Sequence, residues 1–306
     1  MAIPKIIHYF YDDIDPFEKN SKSQVRMCLN SWLQFCPKYK LMLWHDKLPE
    51  FKKIISKSEF AQKAYELGCW AFVSDYIRLY ALEKWGGIYL DTDVQLVNNF
   101  DNFLDNKFFT SIEGDIIYGE NITEPAIMGA VPHHELIIKC KEKYESDDIF
   151  KEKDFVANII MKKMLNELYG FRKISYTTEE FNNKALKYYD KTNKRTQCTD
   201  YSLYINQAVW RDENNEVTIY PSEYFCPTWD TFKNNAITNK TVAIHWNQSS
   251  WWNKKTRMLK SYKYSNPIIR FLYAHEILKN LFSINNSKKS DYLEIRFLYL
   301  KLKFKK

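Results

Sequence analysis

The stretch that most constrains the fold of this chain is residues 70–94, where a helical pattern stops at two glycines and an apolar run ends in two acids. Apolar residues recur in its first half at spacings of three and four, which predicts a helix with one side facing a core. These residues are Val73, Ile77, Tyr80, Ala81 and Trp85. Because glycine tolerates positive φ, we expect the helix to end at Gly86 and Gly87. The Ile-Tyr-Leu run at residues 88–90 then predicts a short buried strand.

Asp91 and Asp93 lie two positions apart, directly after this strand. If the backbone stays extended, both carboxylates project to the same side, where one cation can contact both. Two ionised carboxylates this close repel each other, and a divalent cation removes that repulsion. Oxygen ligands favour Mg²⁺ or Mn²⁺, which in such sites also hold substrate phosphates. Taken alone, however, an Asp-x-Asp pair is also common in solvated turns.

The order of helix, glycine break, strand and acid pair resembles the signature of glycosyltransferase family 32, the sugar-nucleotide-dependent transferases with an Asp-x-Asp sugar-binding region. The matching residues are Ser74-Asp75-Tyr76-Ile77-Arg78 and Gly86-Gly87-Ile88-Tyr89-Leu90-Asp91-Thr92-Asp93. The resemblance runs from Ile3 to about Trp252. It implies the GT-A fold, an α/β architecture in which a Rossmann-like sheet flanked by helices binds a nucleotide sugar.

The resemblance also implies roles for single residues. Asp93 would bind the metal directly, and Asp91 would approach both the metal and the ribose. Asp75 and Arg78 would hold the donor sugar, although residues three apart on a helix also form surface ion pairs worth under about 1 kcal/mol. These four residues are the predicted catalytic set. Tyr89 would line the donor site.

A second informative stretch follows a late strand predicted over residues 241–245, and it begins with His245 and includes Ser250, Trp251 and Trp252. This stretch resembles the His…Ser-Trp closure of the same family. The resemblance implies that His245 completes the metal site while Ser250 and Trp251 donate to the departing diphosphate. An imidazole ligand favours Mn²⁺ over the harder Mg²⁺. Without the resemblance, a structural histidine on a strand is the preferred interpretation of His245, and core packing is the preferred interpretation of the tryptophans.

Tyr11 occupies the position that closes the first strand, where the family usually has a Trp that stacks on the base. A tyrosine ring can also stack, so Tyr11 is included in the predicted donor site. Its strand is predicted over Ile3–Phe10, followed by a helix to Phe35 and a strand over residues 41–44. The order strand, helix, strand, helix, strand predicts a largely parallel sheet with its site at the carboxyl ends of the strands. No phosphate-binding glycine loop occurs, so the metal is expected to neutralise the donor phosphates.

The net charge of +7 is unevenly distributed along the chain. Residues 254–306 contain 14 Lys and Arg against three acids, or +11, which leaves −4 for residues 1–253. We therefore expect a catalytic domain over 1–253 and a basic helical extension over 254–306, with helices at Ile268–Phe282 and Tyr292–Leu302. Basic amphipathic helices form solvated faces or bind anionic membrane surfaces.

The cysteines favour a reducing compartment. Six are scattered without a Cys-x-x-Cys pair, and the N-terminus shows no signal-peptide pattern. We expect a cytoplasmic protein, with residues 254–306 as a candidate for peripheral contact with the cytoplasmic face of the membrane.

Together these features predict a metal-dependent retaining glycosyltransferase. It would move a hexose or N-acetylhexosamine from a nucleotide sugar, UDP-linked by preference and GDP-linked as the alternative, to a surface-glycan or lipid-linked acceptor. The predicted cofactor is Mn²⁺, with Mg²⁺ as the second choice. Two other functions compete: a metal-dependent nucleotide phosphohydrolase, since paired acids and a histidine also activate water, and a non-catalytic binder of nucleic acid or membrane surface through the basic tail. No nucleic-acid motif accompanies that tail, so no nucleic-acid partner is expected.

Overall fold

The computed structural model describes part of the chain at the level of side chains and a further part as backbone alone. Side chains are described for residues 1–12, 23–113, 123–152, 155–171, 209–227, 237–246, 256, 259–260 and 262. Backbone alone is described for three strands between residues 282 and 305.

Nine strands and seven α-helices are assigned between residues 6 and 245 of the described chain. The strands are β1 (Ile6–Phe10), β2 (Lys40–Trp44), β3 (Gly87–Leu90), β4 (Val94–Leu96), β5 (Phe108–Ser111), β6 (Ile127–Ala130), β7 (Trp210–Arg211), β8 (Val217–Tyr220) and β9 (Ala243–His245). The helices are α1 (Ser23–Phe35), α2 (Phe51–Ile55), α3 (Glu59–Glu66), α4 (Trp70–Trp85), α5 (Glu135–Glu145), α6 (Ala157–Tyr169) and α7 (Ser222–Phe225). Short 3₁₀ helices lie at Asp101–Phe103 and Ile149–Lys151.

Seven of these strands form one mixed sheet in the order β2-β1-β3-β6-β5-β8-β7. Strands β6 and β7 run antiparallel to their neighbours, and the other five share one direction. The prediction of an α/β fold with a largely parallel sheet is therefore confirmed. The predicted order is too simple in one respect, because α2 and α3 also lie between β2 and α4.

Both faces of the sheet are buried, as is usual for parallel strands. Residues that alternate along a strand enter two separate apolar clusters: Phe108 of β5 packs into the cluster with α3 to α6, and Phe109 packs into the cluster with α1, β4 and β9. Leu259, in the stretch predicted as an extension, is fully buried in the first cluster. The boundary after residue 253 remains a prediction.

Helix α4 ends as predicted, at Gly86 and Gly87, whose φ angles are +62° and +106°. A Cβ on Gly87 would lie 2.7 Å from the carbonyl oxygen of Ile6, so the close approach of β3 to β1 also requires glycine. The side of this helix that we expected to face a core is buried, and the structure buries other sides as well. Every residue from Phe72 to Leu82 except Tyr80 is buried, because α4 packs between α3, α5 and the sheet.

The acid pair lies in a turn and not in the extended backbone that we expected. The N–H of Val94 donates a hydrogen bond to the carbonyl of Asp91 (3.0 Å). The N–H of Asp91 in turn donates to the carbonyl of Ala126 (2.9 Å), which fixes the start of the turn. After the turn, β4 pairs antiparallel with β9, with Val94 opposite His245. This pairing brings the late histidine beside the acid pair.

Three C-terminal strands replace the second of the helices predicted for the tail. They are β10 (Phe282–Asn285), β11 (Tyr292–Phe297) and β12 (Leu300–Lys305), and they form an antiparallel sheet. The physical reason is visible in the sequence, because Leu300 to Lys305 alternates apolar and basic residues with the period of two that strands require. The other predicted helix lies outside the described residues except for Phe282, which begins β10. Among the helices that the structure describes, none has both the length and the apolar character needed to cross a membrane.

Candidate active site

A cavity of about 470 Å³ opens at the carboxyl edge of the parallel strands. Tyr11 follows β1, Asp91 follows β3 and Glu113 follows β5 at this edge, while the start of the antiparallel β6 brings Glu124 to the same place. The N-terminal turns of α4 and α6 complete the wall. The cavity contains all the predicted site residues that the structure describes: Tyr11, Asp75, Arg78, Tyr89, Asp91, Asp93 and His245.

Asp91, Asp93 and His245 converge at one point of this cavity. Each contributes a ligand atom, and these atoms all lie within 4.8 Å of one another. His245 Nε2 is 3.3 Å from Asp93 Oδ1, and the backbone N–H of Trp246 also donates to the Asp93 carbonyl (3.1 Å). Burial raises the pKa of Asp91, and the nearby Asp93 raises it further, while Arg78 opposes both. Two carboxylates and an imidazole are a suitable donor set for a divalent cation.

The Asp75–Arg78 pair is buried, which excludes the solvent-exposed ion pair considered from the sequence. The guanidinium Nη2 is 3.0 Å from Asp75 Oδ1 and 3.2 Å from Asp91 Oδ1. Nη1 donates to the Pro125 carbonyl (2.7 Å), and the Arg78 side chain retains only 4% exposure. Burial raises the pKa of Asp75 to about 6, although Arg78 acts to lower it. Arg78 thus joins helix α4 to the acid turn and to the start of β6.

Tyr89 and Tyr11 occupy different parts of the cavity. The Tyr89 ring is fully buried beneath the Arg78 guanidinium, whose central carbon is 4.6 Å from the ring centroid. Tyr11 is half-buried at the end of β1, where its N–H donates to the Trp44 carbonyl (3.0 Å). Tyr11 packs against the apolar cluster that contains α1, β4 and β9. Tyr89 is therefore placed to support Arg78, and Tyr11 lies in the cavity lining at the end of β1.

The sequence reasoning missed Glu113, Glu124 and Asn158, which also line the cavity. Glu124 Oε2 is 3.0 Å from His245 Nδ1, and the ligand atoms of Glu124, Cys226 and His245 also cluster within 4.8 Å. Burial acts to raise the pKa of Glu124, but His245 outweighs it and the pKa is lowered. Burial and the charge of Glu124 raise the pKa of Glu113 to about 7, and Asn158 Nδ2 donates to Glu113 (3.3 Å). Their only sequence signal is position, since the two glutamates flank strands that end or begin at the site edge.

Ser250, Trp251 and Trp252 lie outside the described residues. The proposed contacts of Ser250 and Trp251 with the diphosphate therefore remain predictions.

Comparison with known proteins bears on residues 22–110, which match the family model for a glycosyltransferase sugar-binding region containing a DXD motif. No curated protein matches the chain. Among solved structures, similarity is found to the PaToxG glycosyltransferase, at 14% identity over 61% of this chain and 73% of the other, with a TM-score of 0.44. A glycosyltransferase involved in the glycosylation of the major capsid of PBCV-1 is similar at 10% identity over 84% of this chain and 97% of the other, with a TM-score of 0.42. The matched segment includes Asp91-Thr92-Asp93, so the acid pair of this chain lies within the part that is similar to the sugar-binding region of DXD-containing glycosyltransferases.

Proposed function

We propose that the protein is a metal-dependent retaining glycosyltransferase that moves a hexose or N-acetylhexosamine from a UDP-sugar to a surface-glycan or lipid-linked acceptor. One observation carries the proposal. Asp91, Asp93 and His245 meet in a single cavity beside the buried Asp75–Arg78 pair, within and next to the segment that matches the family model. An Asp-x-Asp pair in a solvated surface turn would have none of these neighbours.

The cation would be held by Asp91, Asp93 and His245, whose mixed oxygen and nitrogen donors suit Mn²⁺, with Mg²⁺ as the second choice. A divalent cation bound there supplies positive charge that stabilises the developing charge of a leaving diphosphate. The cavity around these residues, at about 470 Å³, is within the range of small-molecule sites, roughly 300–1,000 Å³. Its volume is therefore compatible with a nucleotide sugar.

The buried pair on α4 would orient the donor. Asp75 lines the cavity, and its carboxylate is held 3.0 Å from Nη2 of the Arg78 guanidinium. In this position it can accept hydrogen bonds from sugar hydroxyls. Arg78 contacts Asp75, Asp91 and the Pro125 carbonyl, and its main effect would be to fix the positions of the two acids relative to each other. Tyr11, which lines the cavity after β1, would stack on the base.

The chemical step follows from the charges that develop. The bond between the anomeric carbon and the diphosphate oxygen breaks, the sugar gains oxocarbenium character, and the acceptor hydroxyl adds on the face that the diphosphate leaves. The hydroxyl proton passes to the departing phosphate oxygen. Ser250 and Trp251 would donate hydrogen bonds to that diphosphate, which lowers the free energy of the transition state.

Calorimetric titration of UDP and GDP tests the donor site. We expect UDP to bind with Mn²⁺, to fail to bind in EDTA, and to bind at least about tenfold more weakly to Asp93→Ala, because the variant lacks a metal ligand. The exposed Asp105→Ala is the matched control and should bind UDP as the unmodified protein does.

Two results would contradict the proposal. If neither nucleotide bound under any condition, the donor site would be lost, and if GDP bound in preference to UDP, the choice of base would be wrong. Sugar transfer to an added acceptor would identify a transferase and exclude a nucleotide phosphohydrolase. Slow hydrolysis of the donor alone would not separate the two.

A further inference from the structure

The two ring nitrogens of His245 face different partners. Nε2 is directed to the cavity, 3.3 Å from Asp93 Oδ1, whereas Nδ1 is 3.0 Å from Glu124 Oε2. The Glu124 side chain is 2% exposed and the His245 side chain 12% exposed, so little water competes for either contact. A histidine that gives Nδ1–H to a carboxylate has its Nε2 lone pair free for a metal.

Glu124 is itself fixed from several directions. Its second carboxylate oxygen, Oε1, accepts the N–H of Ala126 (3.0 Å), and its own N–H donates to the Ser111 carbonyl (2.8 Å). Its carbonyl accepts the Thr110 hydroxyl (2.7 Å). Both carboxylate oxygens and both backbone groups are therefore held by strands β5 and β6 or by the histidine. A side chain held this firmly can fix the orientation of the ring that it contacts.

A different use of the same residues must be weighed. Glu124, Cys226 and His245 also form a trio that could hold a cation. Two features argue against it: Glu124 Oε1 is already engaged by the Ala126 N–H, and Cys226, which is 1% exposed, is not part of the cavity wall. All three members of the other trio, Asp91, Asp93 and His245, line the cavity.

We propose that Glu124 is a positioning residue that holds His245 as the Nδ1–H tautomer and directs Nε2 to the cation between Asp91 and Asp93. The proposal rests on the proposed function, since it assumes that this cation binds. Glu124 does not itself contact the cation. It acts by fixing the ring and by increasing the basicity of the nitrogen that binds.

The first test is a titration of Mn²⁺ into the whole 306-residue chain, in which the loss of the free Mn²⁺ signal in electron paramagnetic resonance measures binding. We expect Glu124→Gln to weaken Mn²⁺ binding about 10- to 100-fold. Glu124 uses one carboxylate oxygen for the Ala126 N–H and the other for His245 Nδ1. A glutamine has only one side-chain oxygen, so its NH₂ group would face one of these two partners, which are both donors. The exposed Glu167→Gln is the matched control, and Cys226→Ser should stay within about twofold of the unmodified protein because the thiol is outside the cation site.

The second test reads the tautomer of His245 directly. Proton–nitrogen correlation spectra of protein labelled in its histidine rings, recorded with diamagnetic Mg²⁺, should show His245 protonated at Nδ1. The His245→Gln variant assigns the signal. In Glu124→Gln, this Nδ1–H signature should weaken or disappear, a change that general destabilisation does not cause.

The outcomes separate the two levels of the argument. If the unmodified protein bound no Mn²⁺, the metal dependence of the proposed function would be contradicted, and so would the role of Glu124 that rests on it. If Asp93→Ala lost Mn²⁺ while Glu124→Gln bound as tightly as the unmodified protein, only the role of Glu124 would be overturned. An Nε2–H tautomer with metal bound, or an equal loss in Cys226→Ser and Asp93→Ala, would overturn it as well.

Discussion

At the scale of single residues, Arg78 shows how one side chain can organise a site without facing open solvent. Its guanidinium contacts Asp75, Asp91, the Pro125 carbonyl and the Ser74 hydroxyl, the last at 3.0 Å. The planar group satisfies several acceptors at once, which a lysine ammonium on a flexible stem cannot reproduce. The two acids consequently have fixed positions before any ligand arrives.

Arg78→Lys should therefore lower the free energy of unfolding by about 2–4 kcal/mol, because buried acceptors lose their partners. Urea denaturation monitored by tryptophan fluorescence measures this change. The exposed Arg211→Lys serves as the control and should shift stability by less than about 0.5 kcal/mol. Equal stabilities for the two variants would show that the network around Arg78 contributes little.

Glu113 should give the stability of the metal-free protein a distinct pH dependence. Burial and Glu124 raise its pKa to about 7 from an ordinary value of 4.5, so the folded state retains a proton that the unfolded state releases. The resulting stabilisation is fully present below the unfolded pKa and is lost as the pH rises through about 7. Relative to the unmodified protein, Glu113→Gln should gain about 1–3 kcal/mol between pH 5 and pH 8.

Urea unfolding in EDTA at the two pH values checks this prediction, with Glu167→Gln as the exposed control. A difference between Glu113→Gln and the unmodified protein that did not change with pH would contradict a raised pKa at Glu113.

The residue scale also shows where sequence reasoning reached its limit. The acid pair and His245 were identifiable because their neighbours follow a recurring pattern. The burial of the Asp75–Arg78 pair could not be predicted from the sequence. The apolar spacing of α4 predicts one buried side and gives no information about the polar residues on the other sides. Glu124 had no local signal, since its importance depends on strand β6 running antiparallel to β3.

At the scale of elements, the glycine pair sets the distance between helix α4 and strand β3. Gly86 turns the chain at φ +62°, and Gly87, at φ +106°, lies against the backbone of β1. The helix therefore begins and the strand ends at the same edge of the sheet. This local geometry places Asp75 and Asp91 within reach of one arginine.

Gly87→Ala should destabilise the fold more than Gly170→Ala, the matched control. Both glycines have positive φ, at +106° and +67°, but a Cβ on Gly87 would lie 2.7 Å from the Ile6 carbonyl oxygen while one on Gly170 would meet nothing within 4 Å. The control should lose only the backbone preference, about 1–2 kcal/mol, and Gly87→Ala at least about 2 kcal/mol more. Chemical denaturation measures the free energy of unfolding of both variants. Similar losses in the two variants would mean that β1 moves easily to make room for the added Cβ.

Elements were predictable from the sequence wherever one periodicity dominated. Helix α4 and strands β1 to β3 have clear patterns, and the structure has them close to the predicted positions. The segment Tyr292–Leu302 was misinterpreted because an apolar and basic composition was taken as helical, although its alternation has a period of two. The turn at the acid pair depends on the bond from Asp91 N–H to Ala126, a partner that no local pattern identifies.

At the scale of the whole molecule, the candidate cation site joins two distant parts of the fold. Asp91 and Asp93 follow the central strand β3, and His245 belongs to β9, which lies outside the seven-stranded sheet and pairs with β4. A ligand that binds all three residues stabilises the folded state relative to the unfolded chain, where the three are far apart.

Mn²⁺ at about 100 times its dissociation constant should therefore stabilise the protein by about 2.7 kcal/mol. The shift in thermal unfolding between Mn²⁺ and EDTA measures this effect. It should vanish in His245→Ala and persist in Asp105→Ala. A shift of the same size in His245→Ala would indicate that Mn²⁺ binds elsewhere on the chain.

The pairing of β4 with β9 also has a consequence for the order in which the site is made. His245 lies 121 positions after Glu124 in the chain and still further after the acid turn, and the pairing of β4 with β9 sets it beside that turn. During synthesis the two aspartates emerge long before their histidine partner, and contacts between such distant positions form slowly. We therefore expect high-affinity metal capture to require the pairing of β4 with β9. In a refolding experiment, capture of Mn²⁺ should report completion of the domain and not the folding of the segment that carries the Asp-x-Asp motif.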